Sequence, residues 1–296
     1  MVLDRLSVRT AAIALLIGCS GATAAYAVAP VMSKSDKAGP TSLVSHRAVY
    51  DMSLAKVSQQ SDGVRAAGGE MTYTLTDRCD GYTIETNLSL NLAFANGKEN
   101  QVEQRYAAWE SKDGRSSTFR FQVIENGAVA KSYHGNIQFK EDGTGTATYE
   151  SGETQTFDLP RGTLLSTAHT AQLIKSAASR EKFIGKMVID GSFDQGPFWV
   201  TAAIAPAQPG VLAQVKAGSR TDVTTKDKLG PLAEGVYWPI GLAYFPSTSD
   251  QALPEYEITQ NLLGTGVTHS MVQDFGGFTL AFKPVRVEPV AGPGCQ

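Results

Sequence analysis

Ile84-Glu85-Thr86-Asn87-Leu88-Ser89-Leu90-Asn91-Leu92-Ala93-Phe94 is the stretch that decides the fold class. Ile84, Thr86, Leu88, Leu90, Leu92 and Phe94 fall on one side of an extended chain. Glu85, Asn87, Ser89 and Asn91 fall on the other. Successive side chains of a strand point to opposite faces, whereas a helix would scatter this set around its circumference. The stretch is therefore a strand with one dry face and one wet face.

The same alternation recurs on both sides of it. It is seen at Met71-Tyr73-Leu75, Phe119-Phe121-Val123, Ile137-Phe139, Phe198-Val200-Ala202-Ile204, Tyr256-Ile258 and Phe278-Leu280-Phe282. Turn signals separate the runs: Asp62-Gly63, Asp80-Gly81, Asn96-Gly97, Asp113-Gly114, Asn126-Gly127, Asp142-Gly143 and Ser151-Gly152. Such pairs reach positive φ easily and suit tight hairpins. Their short spacing predicts an antiparallel meander in which sequence neighbours pair. Parallel βαβ units need a helix between strands, and almost none is on offer.

One segment breaks the pattern. Thr167 to Phe183 is rich in Ala, Lys, Gln and Glu and has neither Gly nor Pro. It is predicted to be the main helix, over residues 167–183, with Ser166 or Thr167 as its N-cap.

The N-terminus reads as an export signal. Arg5 and Arg9 precede a short apolar core from Ala11 to Gly18, and Ala22-Thr23-Ala24 and Ala25-Tyr26-Ala27 are small-x-small cleavage sites. The apolar run is too short for a stable transmembrane helix, and no later stretch is long and apolar enough either. Residues 1–27 are expected to be the signal peptide, 28–42 a flexible leader, and 43–296 one domain, with two lobes meeting near 155–190. A rival reading takes Leu16-Ile17-Gly18-Cys19 as a lipobox with Cys19 acylated. Asp4, Arg5 and Arg9 leave with the signal, which moves the net charge from −3 to −4. That balance carries no clustered basic footprint for nucleic acid.

The chain has 3 cysteines. In an oxidising compartment the two in the body of the protein, Cys79 and Cys295, are expected to form a disulfide. The alternative is that both stay reduced and buried.

No motif of known chemistry is present. There is no nucleophile elbow, P-loop, His-Glu-x-x-His or complete dinucleotide fingerprint. The 4 histidines, His46, His134, His169 and His269, have no metal-type neighbour at chelate spacing. No metal and no cofactor are expected. Ser166-Thr167-Ala168-His169 contains a Ser/His pair, but Ser and Thr at a helix start are read as caps. His46 and His169 are candidate polar residues, read first as structural hydrogen-bonding groups. The aromatics Trp109, Trp199, Tyr237, Trp238, Tyr244 and Phe245 form a candidate binding surface for a lipid, an acyl chain or an apolar peptide. Against this stands the simpler reading that they fill the core.

Several stretches in their order resemble a known family. They are Val44-Ser45-His46-Arg47-Ala48-Val49-Tyr50-Asp51-Met52-Ser53-Leu54, Phe157-Asp158-Leu159-Pro160-Arg161-Gly162-Thr163-Leu164, Thr167-Ala168-His169-Thr170 and Ile189-Asp190-Gly191. With the export signal and two distant cysteines, they resemble the EipB-type cell-envelope-integrity proteins of Gram-negative bacteria. Leu164-Leu165-Ser166-Thr167 departs from the pattern, where a Phe-Pro pair is expected. The resemblance implies a periplasmic β-spiral, a disulfide mapping onto Cys79 and Cys295, a role in envelope integrity and stress resistance, and no established reaction.

The fold expected is all-β: an antiparallel β-spiral or curved half-barrel sheet with one main helix and a terminal disulfide. The function expected is a non-catalytic periplasmic factor that maintains envelope integrity by binding a partner protein or an apolar envelope component. A lipid or lipoprotein carrier is the alternative, and an enzyme acting on envelope polymers ranks last. Exposed sheet edges also leave room for a homo-oligomer.

Overall fold

The computed structural model describes residues 43–58, 63–209, 229–248 and 252–292. The export segment, the leader and Cys295 lie outside the described residues. The first arm comprises β1 (His46–Val57), β2 (Val64–Asp77), β3 (Gly81–Phe94), β4 (Glu99–Ser111), β5 (Ser116–Glu125), β6 (Ala128–Phe139), β7 (Gly145–Ser151) and β8 (Glu153–Leu159). The second comprises β9 (Leu164–Leu165), the helix α1 (Ser166–Ala178), β10 (Phe183–Ile189), β11 (Phe198–Ile204), the 3-10 turn η1 (Pro231–Ala233), β12 (Tyr237–Pro246), β13 (Tyr256–Leu263), β14 (Thr268–Asp274) and β15 (Phe278–Pro289).

The 15 strands of the described residues form one sheet in the order β8-β7-β6-β5-β4-β3-β2-β1-β15-β14-β13-β12-β11-β10-β9. The first arm starts at the centre of the sheet and runs out to one edge. The chain then jumps to the opposite edge and returns. The two ends meet where β1 pairs with β15. The meander expected from alternation and turns is thus present in both arms. The expected absence of parallel pairing is corrected at one place. β9 and β10 are parallel, joined through α1, the one α-helix among the described residues.

The jump proves the curl. β8 ends at Leu159 and β9 begins at Leu164, on opposite edges of the sheet. Five residue steps reach at most about 18 Å. A flat sheet of this many strands would be about 67 Å wide at ~4.8 Å per strand. The sheet must therefore roll until its edges adjoin. It does not close by hydrogen bonds: the second edge tucks inside the first arm. The Asp190–Pro197 turn is the tucked part. Gly191, at φ +78, lies against the Phe119 ring, which fills the space any Cβ would need. Tyr106 and Tyr133 donate their hydroxyls to the carbonyls of Asp190 and Ser192. Lys131 Nζ pairs with Asp194 at 2.7 Å.

Two apolar clusters result. One gathers Tyr106, Phe119, Phe121, Tyr133 and Tyr149 against Phe198, Val200, Leu242 and Tyr256, with Leu173 and Ile174 of α1. The other gathers Tyr50, Met52, Met71 and Leu90 against Leu263, Phe275, Leu280 and Phe282.

The helix departs from its expected bounds and cap. It ends at Ala178, five residues before Phe183. Arg180 adopts φ +62 while the Arg180 and Glu181 amides donate to the carbonyls of Ala177 and Ser176. This is a Schellman stop, made here without glycine. The N-cap position is Leu165 and offers no side-chain cap. Its role passes to Glu110 of β4.

Candidate functional site

Curling leaves an interior cavity of about 310 Å³ between the arms. Its first wall follows from strand parity. Tyr50 of β1, Met71, Tyr73 and Leu75 of β2, Ile84 and Thr86 of β3, and Gln104 and Tyr106 of β4 all face inward. The opposing wall comes from Leu43, the start of α1, the Asp190–Ser192 turn, Gln260 and Leu262 of β13, and Thr268 and Met271 of β14. One part of the lining is aliphatic and thioether: Leu43, Met71, Leu75, Ile84, Leu262 and Met271. Another is polar: Thr86, Gln104, Thr170, Asp190 and Gln260.

Some of these polar groups are already engaged. Tyr50 donates its hydroxyl to the Thr268 carbonyl at 2.6 Å, and Thr268 Oγ1 donates to Gln260 Oε1 at 3.2 Å. Asp190 Oδ1 accepts from Ser192 N and Oγ at 2.8 and 2.7 Å. Burial pushes the Asp190 carboxyl up, and the two Ser192 bonds hold it back. The side chains of Thr86 and Gln104 make no hydrogen bond among the described residues and face the void. The site is thus an apolar hollow whose first wall carries spare hydrogen-bonding capacity at Thr86 and Gln104.

Glu110 holds the helix side of the cavity in place. It is fully buried, at 0% exposure. Oε1 accepts from Ser166 N and Oγ at 3.3 and 2.6 Å, and Oε2 from Thr167 N and Oγ1 at 2.9 and 2.5 Å. A carboxylate at a helix N-terminus satisfies orphan amides and is favoured by the positive end of the helix dipole. Burial pushes the Glu110 carboxyl up, while the Ser166 and Thr167 bonds work against that shift. Ser166 and Thr167 therefore donate to a distant cap instead of capping the helix themselves.

The residues expected from sequence to bind do not share one surface, and none lines the cavity. Tyr244 faces inward and stacks on Tyr256 at 4.3 Å. Trp238 also packs against the interior cluster. Tyr237 stacks on His269 at 5.9 Å and packs against the second cluster. Trp199 and Phe245 are cross-strand neighbours on the outer face, and Trp199 is 45% exposed over Gly185. Trp109 lies on the outer face of β4, over Gly81.

His46 is buried, with Nδ1 bonded to the Val44 carbonyl at 2.7 Å, as a structural role requires. His169 differs from that expectation: it is buried, and its Nε2 has no hydrogen-bond partner. Burial depresses it to about 4, with Lys186 adding to the effect. Cys79 sits in the β2–β3 turn at φ 70. Among the described residues no group of three His, Cys, Asp or Glu could hold a metal ion. No helix among them is long and apolar enough to cross a membrane.

Sequence reasoning missed the cavity because its members are scattered over six strands. Two signals did exist. Thr86 is a polar residue on the dry side of the Ile84–Phe94 strand, and Asp190 lies in the Ile189-Asp190-Gly191 motif.

Comparison with known proteins agrees with this geometry. The curated "Cell envelope integrity protein EipB" of Brucella abortus (strain 2308) is 27% identical over 271 residues, covering 91% of this chain and 92% of that protein. A crystal structure of a "Beta-barrel-like Protein of Domain of Unknown Function DUF1849" from Brucella abortus superposes with a TM-score of 0.74 at 24% identity. The match covers 84% of this chain and 99% of that one. It supports the rolled, open sheet. The family model described as EipB-like matches residues 37–290. A rolled sheet whose two edges adjoin, entered through the β1 and Asp190 motifs and matched along almost its whole described length, places this chain in the EipB-like family.

Proposed function

We propose that this protein is a non-catalytic periplasmic factor that maintains envelope integrity by holding an apolar envelope component in the cavity between its two arms. The observation that carries this reading is the cavity itself. It combines an aliphatic and thioether lining with unengaged polar groups at Thr86 and Gln104, which suits an apolar body with a small hydrogen-bonding head. The curated relative's name supports the envelope role. Export through residues 1–27 and a Cys79–Cys295 bridge belong to the same proposal.

The test is direct. Mature protein purified from its export compartment is denatured and extracted, and the extract is read by mass spectrometry. An apolar species is expected in stoichiometric amount, and a cavity-filling Met271→Trp variant should lack it. The same variant should fail to restore detergent resistance to a strain lacking the gene. An empty extract, together with full rescue by the filled variant, overturns the reading.

A protein partner is the second reading. It is favoured by Phe183 and Trp199, which stand 77% and 45% exposed on the outer face, Trp199 beside Phe245. Photo-crosslinking from position 199 in cells should then capture one partner, and Trp199→Ala should lose rescue while ligand content is unchanged.

A further inference from the structure

The outer face of β3 to β7 carries a second, independent groove of about 1010 Å³. Its central row is set by register. Glu85 stands opposite Ala107, Ala107 opposite Arg120, Arg120 opposite His134, and His134 opposite Glu150. The row crosses four strand spacings, about 19 Å.

His134 and Glu150 meet at 3.2 Å, and Arg105 is held by Glu103 at 3.0 Å. Arg120 and Glu85 have no ion pair among the described residues. They stand two strands apart across Ala107, about 10 Å between backbones. An unpaired donor fork and an unpaired acceptor thus flank a floor with almost no side chain. Trp109 is the next outward residue along β4 from Ala107. Its indole lies over Gly81, where a Cβ would stand 2.5 Å from Nε1. The amides of Asn87, Gln122 and Asn136 and the hydroxyls of Thr83, Thr118 and Ser132 complete the rim.

We propose that this groove binds a short, near-neutral N-acetylated amino-sugar chain. Its chemistry selects that occupant over the others. Ile84, Tyr106, Phe119, Phe121 and Tyr133 border the groove but are buried on the inner side of the sheet, so its outward-facing residues offer no large aliphatic side chain and an apolar peptide anchor gains little by entering. The groove charges balance, with Arg105 and Arg120 against Glu85 and Glu150, so a polyanion is not favoured. What remains is a high density of mixed donors and acceptors beside one indole. Hydroxyl groups both donate and accept, and each one buried must be matched. Acetamido groups are matched by side-chain amides, and the apolar face of a sugar ring packs on an aromatic face.

The probe is N-acetylchitotetraose, titrated into full-length mature protein and followed by calorimetry. Saturable one-to-one binding is expected. Arg120→Ala and Trp109→Ala should each weaken it at least about tenfold, with thermal melting unchanged for Arg120→Ala. If Trp109→Ala melts early, Ala107→Glu, which fills the floor, takes its place and should abolish binding. Trp199→Ala, on the other exposed patch, should bind as the parent does. Absence of saturation by the tetrasaccharide overturns the proposal. So does binding that survives both Arg120→Ala and Ala107→Glu, or saturation by heparin in its stead. None of these results touches the interior cavity, whose ligand is assayed by extraction.

Discussion

Two buried groups show how single residues set the behaviour of the interior. Glu110 collects four hydrogen bonds from Ser166 and Thr167 and stands in for the missing helix cap. Glu110→Ala strands two amides and two hydroxyls inside the protein. The loss should be about 3 kcal/mol, reduced somewhat because an expensive buried carboxylate goes with it. In a domain of this size that lowers the melting temperature by roughly 6–12 °C. Glu110→Gln keeps the shape but turns donors toward donors, so it should rescue only part. A Glu110→Ala melt within a degree of the parent would show that the cap is dispensable.

His169 acts through pH. Its imidazole is neutral in the fold down to about 4, against an ordinary 6.5. The unfolded chain therefore takes up a proton at a pH where the folded one does not. The stability His169 confers is complete above about pH 6.5 and is lost as pH falls toward 4, by up to about 3 kcal/mol. His169→Met, close in volume and without a titrating group, should flatten that slope. Melting the two proteins at pH 7 and pH 4.5 reads the difference, and equal acid losses would rule His169 out as its cause.

At the scale of elements, what could be read from sequence was whatever is encoded locally. Asn126 and Gly127 take φ 50 and 82, the turn their dipeptide predicts. Phe198, Val200, Ala202 and Ile204 are buried in alternation. Where the elements depart from expectation, the cause lies elsewhere in the chain. The helix start is set by a carboxylate 56 positions away from Ser166, which no local pattern reveals. At Asp80-Gly81 the left-handed residue is Cys79 rather than the glycine, and Gly81 is needed instead because Trp109 lies over it. The cavity was the least legible feature, because its lining becomes contiguous only when the sheet rolls.

The early helix stop yields a prediction at this scale. Arg180 holds a left-handed conformation that costs an L-residue about 1 kcal/mol and costs glycine almost nothing. Arg180→Gly should raise the melting temperature by roughly 2–4 °C, less whatever the freer unfolded chain takes back. A lower melting temperature would mean that the Arg180 side chain contributes more than its backbone costs.

For the whole molecule, the decisive contact is the one that joins its two ends. β1 and β15 pair from His46↔Pro289 to Val57↔Phe278, and among the described strands they are the one pair of sheet neighbours that are not consecutive in the chain. Every other pairing joins neighbouring strands of the chain, so this seam is where backbone pairing couples the two arms, beside the side-chain clusters and the tucked Asp190 turn. Beyond β15 the chain is carried toward the β2–β3 turn. The Val290 amide donates to the Ser45 carbonyl, and a Cβ on Gly292 would lie 3.1 Å from the Asp77 carbonyl oxygen. Gly292 is thus beside a residue two positions from Cys79, and three more residues reach about 10 Å. That is within range of the ~6 Å Cα separation a disulfide needs.

A bridge from Cys79 to Cys295 would clamp the seam at its open end. It would also close nearly the entire body of the protein into one covalent loop, which on chain-entropy grounds constrains the unfolded state by about 5 kcal/mol. Cys79→Ser in oxidised, exported protein should then lower the melting temperature by of the order of 10–20 °C. Adding reductant to the parent should reproduce the loss, and adding it to the variant should change nothing. Superimposable melts of parent and variant without reductant would mean that the β1–β15 pairing holds the ends unaided.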